Sequence, residues 1–323
     1  MPAIEPTVSV IIPCYNEDGT LRELYTRVRD EFARLELRAE LLFIDDGSTD
    51  GSRAILRELA AADPDCRVIA FRRNCGKAAA LDLGFRAARG EYIITMDADL
   101  QDDPQEIPRF LDALQHTDVV SGWKANRHDP IGKTLPSRLF NNTVRRVTGV
   151  PLHDMNCGFK GYRRQVVREI SLYGELHRYI PALAAARGFR IEELIVTHHP
   201  RRSGISKYGW ERFLRGFFDL LTVVYLTRYR MRPLHLFGGV GFIFLLSGLI
   251  LGLLISTYTV LTNQTPYPLL SILTLCLFVG GPILFAIGLV AEGLLAQTLA
   301  QTPPPPVAER LNFTTTDEVS HAS

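Results

Sequence analysis

No two cysteines in this chain stand at a spacing that holds a metal. The five of them, Cys14, Cys66, Cys75, Cys157 and Cys276, are odd in number and scattered over 323 residues. That excludes a Cys/His zinc site and a complete disulfide framework, and reduced cytosolic thiols are expected. Charge of either sign is not in excess: 36 Lys and Arg against 35 Asp and Glu leave a net charge of +1. Bulk electrostatics therefore gives nucleic acid no reason to bind. The two commonest phosphate-cradling loops are missing as well. No Gly-x-Gly-x-x-Gly follows the first strand, and no Gly-x-x-x-x-Gly-Lys-Ser/Thr occurs anywhere, so a metal must do more of the work on any diphosphate. Met1-Pro2-Ala3-Ile4-Glu5-Pro6 carries no basic patch before an apolar core, and no cleavable signal peptide is expected.

Long apolar runs are present. From Leu234 to Val260 only His235 is able to carry a charge, and from Leu269 to Ala291 nothing is. Each run exceeds the roughly 20 residues needed to cross about 30 Å of hydrocarbon as a helix. The polar turn Thr262 to Pro268 lies between them. A transmembrane helical hairpin is predicted, rather than a buried hairpin of a soluble core. Arg228, Arg230 and Arg232 precede the first span while the turn has no Lys or Arg. The positive-inside rule then puts the N-terminal region in the cytoplasm and makes this an integral protein of the cytoplasmic membrane. A Pro-rich tail from Pro303 reads as disordered.

Upstream, strand-like and helix-like segments alternate. Thr7 to Ile12 reads as a strand stopped by Pro13, Leu21 to Leu37 as a helix and Glu40 to Ile44 as a strand. Arg53 to Ala62 reads as a helix, Arg67 to Phe71 as a strand, Lys77 to Ala88 as a helix and Glu91 to Met96 as a strand. Short connections make this an α/β unit, a mostly parallel sheet with helices on both faces. Such sheets bind ligands at the carboxyl ends of their strands. Four polar groups fall there: Tyr15-Asn16-Glu17, Asp45-Asp46, Arg72-Arg73-Asn74 and Asp97-Ala98-Asp99. Four on one edge describe a cleft.

The run Thr95-Met96-Asp97-Ala98-Asp99-Leu100-Gln101 is the most informative part of that edge. Asp is disfavoured in strands and costly to bury unpaired. Two carboxylates and the Gln101 amide oxygen suit Mg²⁺ or Mn²⁺, while a solvated turn capping the helix after Pro104 also accounts for them. Arg201-Arg202-Ser203-Gly204-Ile205-Ser206-Lys207-Tyr208 offers cations on a flexible loop, suited to a multiply charged leaving group or to anionic lipid headgroups. Trp210, Phe213, Leu214, Phe217, Phe218, Leu221, Val224 and Tyr225 form one face of an amphipathic helix, which fits the membrane interface better than packing on the soluble part. His198 and His199, after an apolar strand from Ile191 to Val196, read as structural.

The segments Val8 to Glu17, Asp45-Asp46-Gly47-Ser48 and Asp97 to Gln101 together resemble family 2 glycosyltransferases of the GT-A nucleotide-diphospho-sugar transferase fold. Among these the chain resembles polyprenyl-phosphate transferases of the dolichol-phosphate-mannose-synthase type with two C-terminal spans, from about Thr7 to Ala291. The resemblance implies that Pro13, Tyr15 and Glu17 hold base and ribose, and that Asp45 and Asp46 read the base. It gives Lys77 to the nucleotide sugar and Asp97, Asp99 and Gln101 to metal and diphosphate. Arg202 and Lys207 would close over the pyrophosphate. Lys124, Arg127, Lys133, Ser137 and Arg138 would receive the acceptor phosphate, although a solvated helix face from Lys133 onward reads equally well. Asp154, in His153-Asp154-Met155-Asn156-Cys157-Gly158-Phe159, is the candidate base, and Cys157 looks like a small packing residue.

The implied substrates are a nucleotide-diphosphate sugar and a polyprenyl phosphate lipid, the implied assembly a homo-oligomer. The implied organisation is a catalytic domain over 1–205, juxtamembrane helices over 206–232, a hairpin over 233–298 and a tail over 299–323. Elongation of a cell-surface polysaccharide is the alternative, weakened by the lack of a Gln-x-x-Arg-Trp-type motif. A non-catalytic membrane assembly subunit is a further one, weakened by the intact Asp97/Asp99 pair.

Overall fold

The computed structural model describes residues 6–125, 145–146, 148–199, 218, 221–229, 232–264 and 268–301. They divide into two compact units, 1–228 and 229–323. In the first, seven strands form one sheet: β1 (Val8–Cys14), β2 (Ala39–Asp45), β3 (Cys66–Ala70), β4 (Tyr92–Thr95), β5 (Val119–Trp123), β6 (Lys160–Arg163) and β7 (Ile191–Ile195), in the order β3-β2-β1-β4-β6-β5-β7. Only β6 runs antiparallel to its neighbours. Its direction follows from the chain returning across the sheet to lie between β4 and β5.

Alternation along the strands assigns each residue to one of two cores. Val8, Val10 and Ile12 of β1 and Leu41 and Phe43 of β2 pack in one cluster. Helices α1 (Leu21–Arg34), α2 (Ser52–Ala62) and α4 (Ile107–Ala113) cover that face. Ile11, Leu42 and Ile44 point the other way, under α3 (Lys77–Ala87), α5 (Arg164–Glu169) and α6 (Ile180–Ala185). With both faces covered, the strands are apolar runs rather than polar–apolar alternations, which is why their periodicity is legible only by length.

Pro13 does not stop β1, which continues to Cys14 in register with Asp45. Its position on the ladder explains this. Ile11 accepts the Met96 amide at 3.3 Å on the β4 side, while Cys14 accepts the Asp46 amide at 2.9 Å on the β2 side. Pro13, two residues after Ile11, turns its missing N–H toward β4 where pairing has ended at Thr95, so no ladder bond is lost.

Glu40 sits fully buried near the start of β2, at the opposite edge from the strand ends. Ser9 Oγ donates to it at 2.6 Å, Arg67 Nη1 at 2.8 Å and Arg89 Nε at 2.9 Å. Burial works to raise its pKa, yet these donors hold it below the usual value near 4.5. A depressed carboxylate adds stability above its unfolded pKa and loses it as pH falls through the folded one. Glu40→Gln is therefore expected to cost about 3 kcal/mol at neutral pH, the scale of breaking a buried pair. The gap to wild type should close below about pH 4; denaturant titrations at several pH values check this.

The second unit is a pair of helices, α7 (Pro233–Thr262) and α8 (Pro268–Gln301). They approach closely at Gly241 and Gly281: a Cβ on Gly241 would lie 2.6 Å from the Gly281 carbonyl oxygen. Asn263, left-handed at φ 54°, ends α7. Glu292 of α8 accepts the Leu234 amide at 3.2 Å, satisfying an orphan donor of the first turn of α7. Both helices are long and apolar enough to cross a membrane, and only 11% of each apolar window is buried.

Of the amphipathic segment, residues 200–217, 219 and 220 lie outside the described residues. At its other end Val223 is fully buried in the second core and Leu226 packs against it. Neither residue belongs to the predicted stripe, of which Phe218 and Leu221 are exposed.

Candidate functional site

The turn after β2 is built around two carboxylates. Asp45, fully buried, accepts the Ser48 amide at 2.8 Å and pairs with Arg53 Nε at 2.9 Å. Arg53 also donates to the Phe71 carbonyl at 2.7 Å, tying β2 to the loop after β3. Asp46 accepts the amides of Cys75 and Gly76 at 2.6 and 2.9 Å. Gly47, at φ +75°, lies so close to that loop that a Cβ would stand 2.4 Å from the Arg73 carbonyl carbon. Only glycine serves there. Asn16, left-handed after β1, accepts the Thr49 amide at 2.8 Å. The first three polar clusters thus form one braced rim, with Tyr15 exposed on it.

The Asp97 to Asp103 loop follows β4. Asp97 pairs with Lys77 at the start of α3. Burial alone would raise the Asp97 pKa, but the Lys77 ammonium, helped by Lys124 and His177, holds it at about 2. Asp99 is buried and accepts the Gln101 amide at 3.2 Å. Between them in sequence, Leu100 takes a left-handed backbone at φ 60°, strain of the kind that tertiary contacts must hold in place. Those contacts come from the segment after β7, where His198 bridges to Asp102. His199 donates its amide to the Gln101 carbonyl at 2.9 Å and accepts from Gln101 Nε2 at 3.3 Å, and His199 Nε2 meets Asp103 at 2.9 Å. His198 and His199 brace the loop, in keeping with a structural role.

Asp102, 1% exposed, accepts the Asp97 amide at 3.2 Å through one oxygen. Its other oxygen faces Lys124 Nζ at 3.3 Å. Burial opposes charge on Lys124, yet Asp102 and Asp97 push its pKa up. Asp154, 2% exposed, accepts the Asn156 amide at 3.2 Å, and its own amide and that of His153 both donate to Glu193. His153 stacks on Trp123 with ring centres 4.2 Å apart. Cys157 is buried, its thiol pushed up to about 12 by burial and by Asp102. Gly158 leaves no room for a side chain, since a Cβ would lie 2.5 Å from Asp97 Oδ2.

Residues 9–171, half of the chain, match the model for "Glycosyl transferase family 2". The dodecaprenyl-phosphate galacturonate synthase of Rhizobium johnstonii is 40% identical over 72% of this chain and 71% of its own length. The undecaprenyl-phosphate 4-deoxy-4-formamido-L-arabinose transferase of Pseudomonas paraeruginosa is 42% identical over 76% and 74%. Among solved structures, the glucosyl-3-phosphoglycerate synthase of Mycobacterium tuberculosis aligns with a TM-score of 0.49 at 18% identity, over 68% of this chain and 79% of that one. The chain belongs to glycosyl transferase family 2.

In this family 2 glycosyltransferase the residues expected to meet the donor lie on one strand-end edge. Pro13 lies within the end of β1 and Tyr15 and Glu17 follow it, Asp45 closes β2 and Asp46 follows it, and Lys77, Asp97, Asp99 and Gln101 sit at or beside the end of β4. Lys124 and Asp154 stand at the ends of loops next to β5 and β6. Arg127, Lys133, Ser137, Arg138, Arg202 and Lys207 lie outside the described residues.

Among the described residues no three His, Cys, Asp or Glu gather as a metal site. A cation here must take its third ligand from the Gln101 amide oxygen or from substrate phosphate. The donor set fits a hard cation: Gln101 Nε2 is occupied by His199, which leaves Oε1 to coordinate, and Asp99 lies two residues away.

Asp102, Lys160 and His177 went unnoticed in the sequence. Asp102 had a signal, a third carboxylate directly after Gln101; the other two had none. Gly158→Ala is expected to displace Asp97 from Lys77 and lower sugar-transfer kcat about tenfold or more, with less than about 1 °C change in Tm for Gly19→Ala, where a Cβ meets open space, as a control of the assay's resolution. That comparison is made by steady-state kinetics and thermal melts. An unchanged kcat for Gly158→Ala means the Asp97–Lys77 pair does not position substrate.

Proposed function

We propose that this glycosyltransferase moves a sugar from a nucleotide-diphosphate donor onto a polyprenyl phosphate at the cytoplasmic face of a membrane. The observation that carries the reading is one chain holding both the Asp97–Gln101 loop on a strand-end cleft and an exposed apolar helical hairpin. The two relatives named above, both polyprenyl-phosphate sugar transferases, support the acceptor.

The braced rim of Tyr15, Glu17, Asp45 and Asp46 binds base and ribose. Lys77, anchored on Asp97, places an ammonium at the donor side of the cleft. Mg²⁺ or Mn²⁺, when bound by Asp97, Asp99 and Gln101, would neutralise charge on the diphosphate. Arg202 and Lys207 add cations over the leaving group, and Lys124, Arg127, Lys133, Ser137 and Arg138 receive the lipid phosphate. An oxygen of that phosphate attacks the anomeric carbon, the bond from that carbon to the diphosphate breaks, and the nucleotide diphosphate departs with inversion. A phosphate monoester has a second pKa of about 6. It reaches the cleft ionised at neutral pH, so Asp154 need orient more than deprotonate.

The test is transfer by the purified full chain in nanodiscs, with UDP- and GDP-sugars against undecaprenyl and dolichyl phosphate. A lipid-linked monosaccharide is expected, lost with EDTA and restored by Mn²⁺ or Mg²⁺. Sugar appearing on an oligosaccharide primer instead of the lipid would refute the acceptor. Transfer undiminished by EDTA would refute the metal.

A further inference from the structure

Below the Asp97 loop, on the face covered by α3 and α6, a cavity of about 190 Å³ opens between α3, the ends of β4 and β6 and a 3-10 turn over Leu176–Tyr179. It far exceeds the roughly 10–15 Å³ that one water needs. It falls short of the roughly 300 Å³ at which pockets for larger ligands begin. Its size suits one monosaccharide ring and is too small for a nucleotide.

Its lining is unevenly charged. Lys77 is matched by Asp97, and Arg178 by Glu175 at 2.8 Å. Lys160 has no such match. It is 3% exposed, and among the described residues its ammonium meets only the carbonyl oxygens of Met155, at 3.3 Å, and Cys157. An ammonium has three donors, so one remains. Asp154 and Asp97 act on it only from beyond hydrogen-bond reach, and a buried cation with no directly paired carboxylate is costly. Burial indeed works to lower the Lys160 pKa.

Two further polar atoms are buried in the same lining without a hydrogen bond among the described residues: His177 Nδ1 and Asn156 Oδ1. Burial, with Lys77 and Arg178, pushes the His177 pKa down to about 3. The ring is neutral, with one nitrogen donating and the other accepting. A site with a spare ammonium donor, a neutral imidazole and an amide oxygen satisfies a ligand that brings an anion and hydroxyls together.

We propose that this cavity holds the transferred sugar and that Lys160 and His177 select a sugar bearing a carboxylate, a hexuronate, over its neutral counterpart. The assignment rests on the donor-side reading of the cleft given above. The carboxylate supplies the missing counter-charge of Lys160 and a partner for His177, while sugar hydroxyls reach Asn156.

The experiment is calorimetric titration of the full chain in nanodiscs with Mn²⁺. UDP-galacturonate, UDP-glucuronate and GDP-mannuronate are compared with UDP-galactose, UDP-glucose and GDP-mannose. At least one uronate is expected to bind about tenfold or more tightly than its matched hexose, as expected for a charge-assisted contact. Lys160→Met and His177→Gln should each shrink that ratio about fivefold or more. If Lys160→Met does not fold, His177→Gln carries the same comparison. Equal or tighter binding of all hexoses overturns the assignment, as does a loss that falls equally on both donor classes. Lipid product is measured in parallel. Uronate-selective binding without lipid product refutes the acceptor reading and leaves the cavity standing; lipid product from hexoses alone does the reverse.

Discussion

Asp99→Asn is expected to lower kcat for lipid-linked sugar formation about 10³-fold at saturating metal, and Asp154→Asn no more than about 30-fold. At about 1.4 kcal/mol per decade these losses are roughly 4 and 2 kcal/mol of barrier. The first figure is the scale of removing a pre-organised group that meets developing charge. Asp99 is buried and held by the Gln101 amide in a loop whose strained Leu100 is fixed from outside by His199. An amide at that position keeps the shape and removes the charge. Asp154 is also buried, but the Asn156 amide occupies one of its oxygens, and an ionised phosphate nucleophile asks little of a base. Single-turnover rates of purified variants with matched Tm decide the order. A deeper loss at Asp154 would mean a real proton acceptor and an acceptor substrate with a hydroxyl.

Much of this was legible before any coordinates. The strand-end clusters announced themselves because Asp and Asn interrupt apolar runs that physics keeps free of them, and the apolar helices by length alone. Legibility failed wherever a residue's meaning depends on a distant partner. Pro13 looked like a terminator because its missing donor matters only on the side where a neighbour pairs. Lys124 looked like one of a basic group awaiting phosphate, yet its ammonium faces buried Asp102 across 22 positions of sequence. Lys160 and His177 carry no local pattern. Their importance comes from strand β6 and a 3-10 turn being folded against Lys77.

Lys124 is where structure and function compete most directly, and a double-mutant cycle with Asp102 separates them. Lys124→Met strands a carboxylate that is 1% exposed, and removing one partner of a buried pair costs about 3–5 kcal/mol. Asp102→Asn in that background removes the stranded charge while retaining an oxygen for the Asp97 amide. The double variant should regain all but about 1–2 kcal/mol, because neutral replacements of buried pairs are often tolerated. Denaturant unfolding of the α/β transition reads these values, and strictly additive losses would mean that the pair does not interact. The kinetic arm asks a different question of the same proteins. If Lys124 also receives the lipid phosphate, the double variant recovers stability but keeps a KM for polyprenyl phosphate raised about tenfold, the scale of one lost charge-assisted bond. If Lys124 only braces the Asp97 loop, KM returns with stability, and the acceptor phosphate must be held by other cations of the chain.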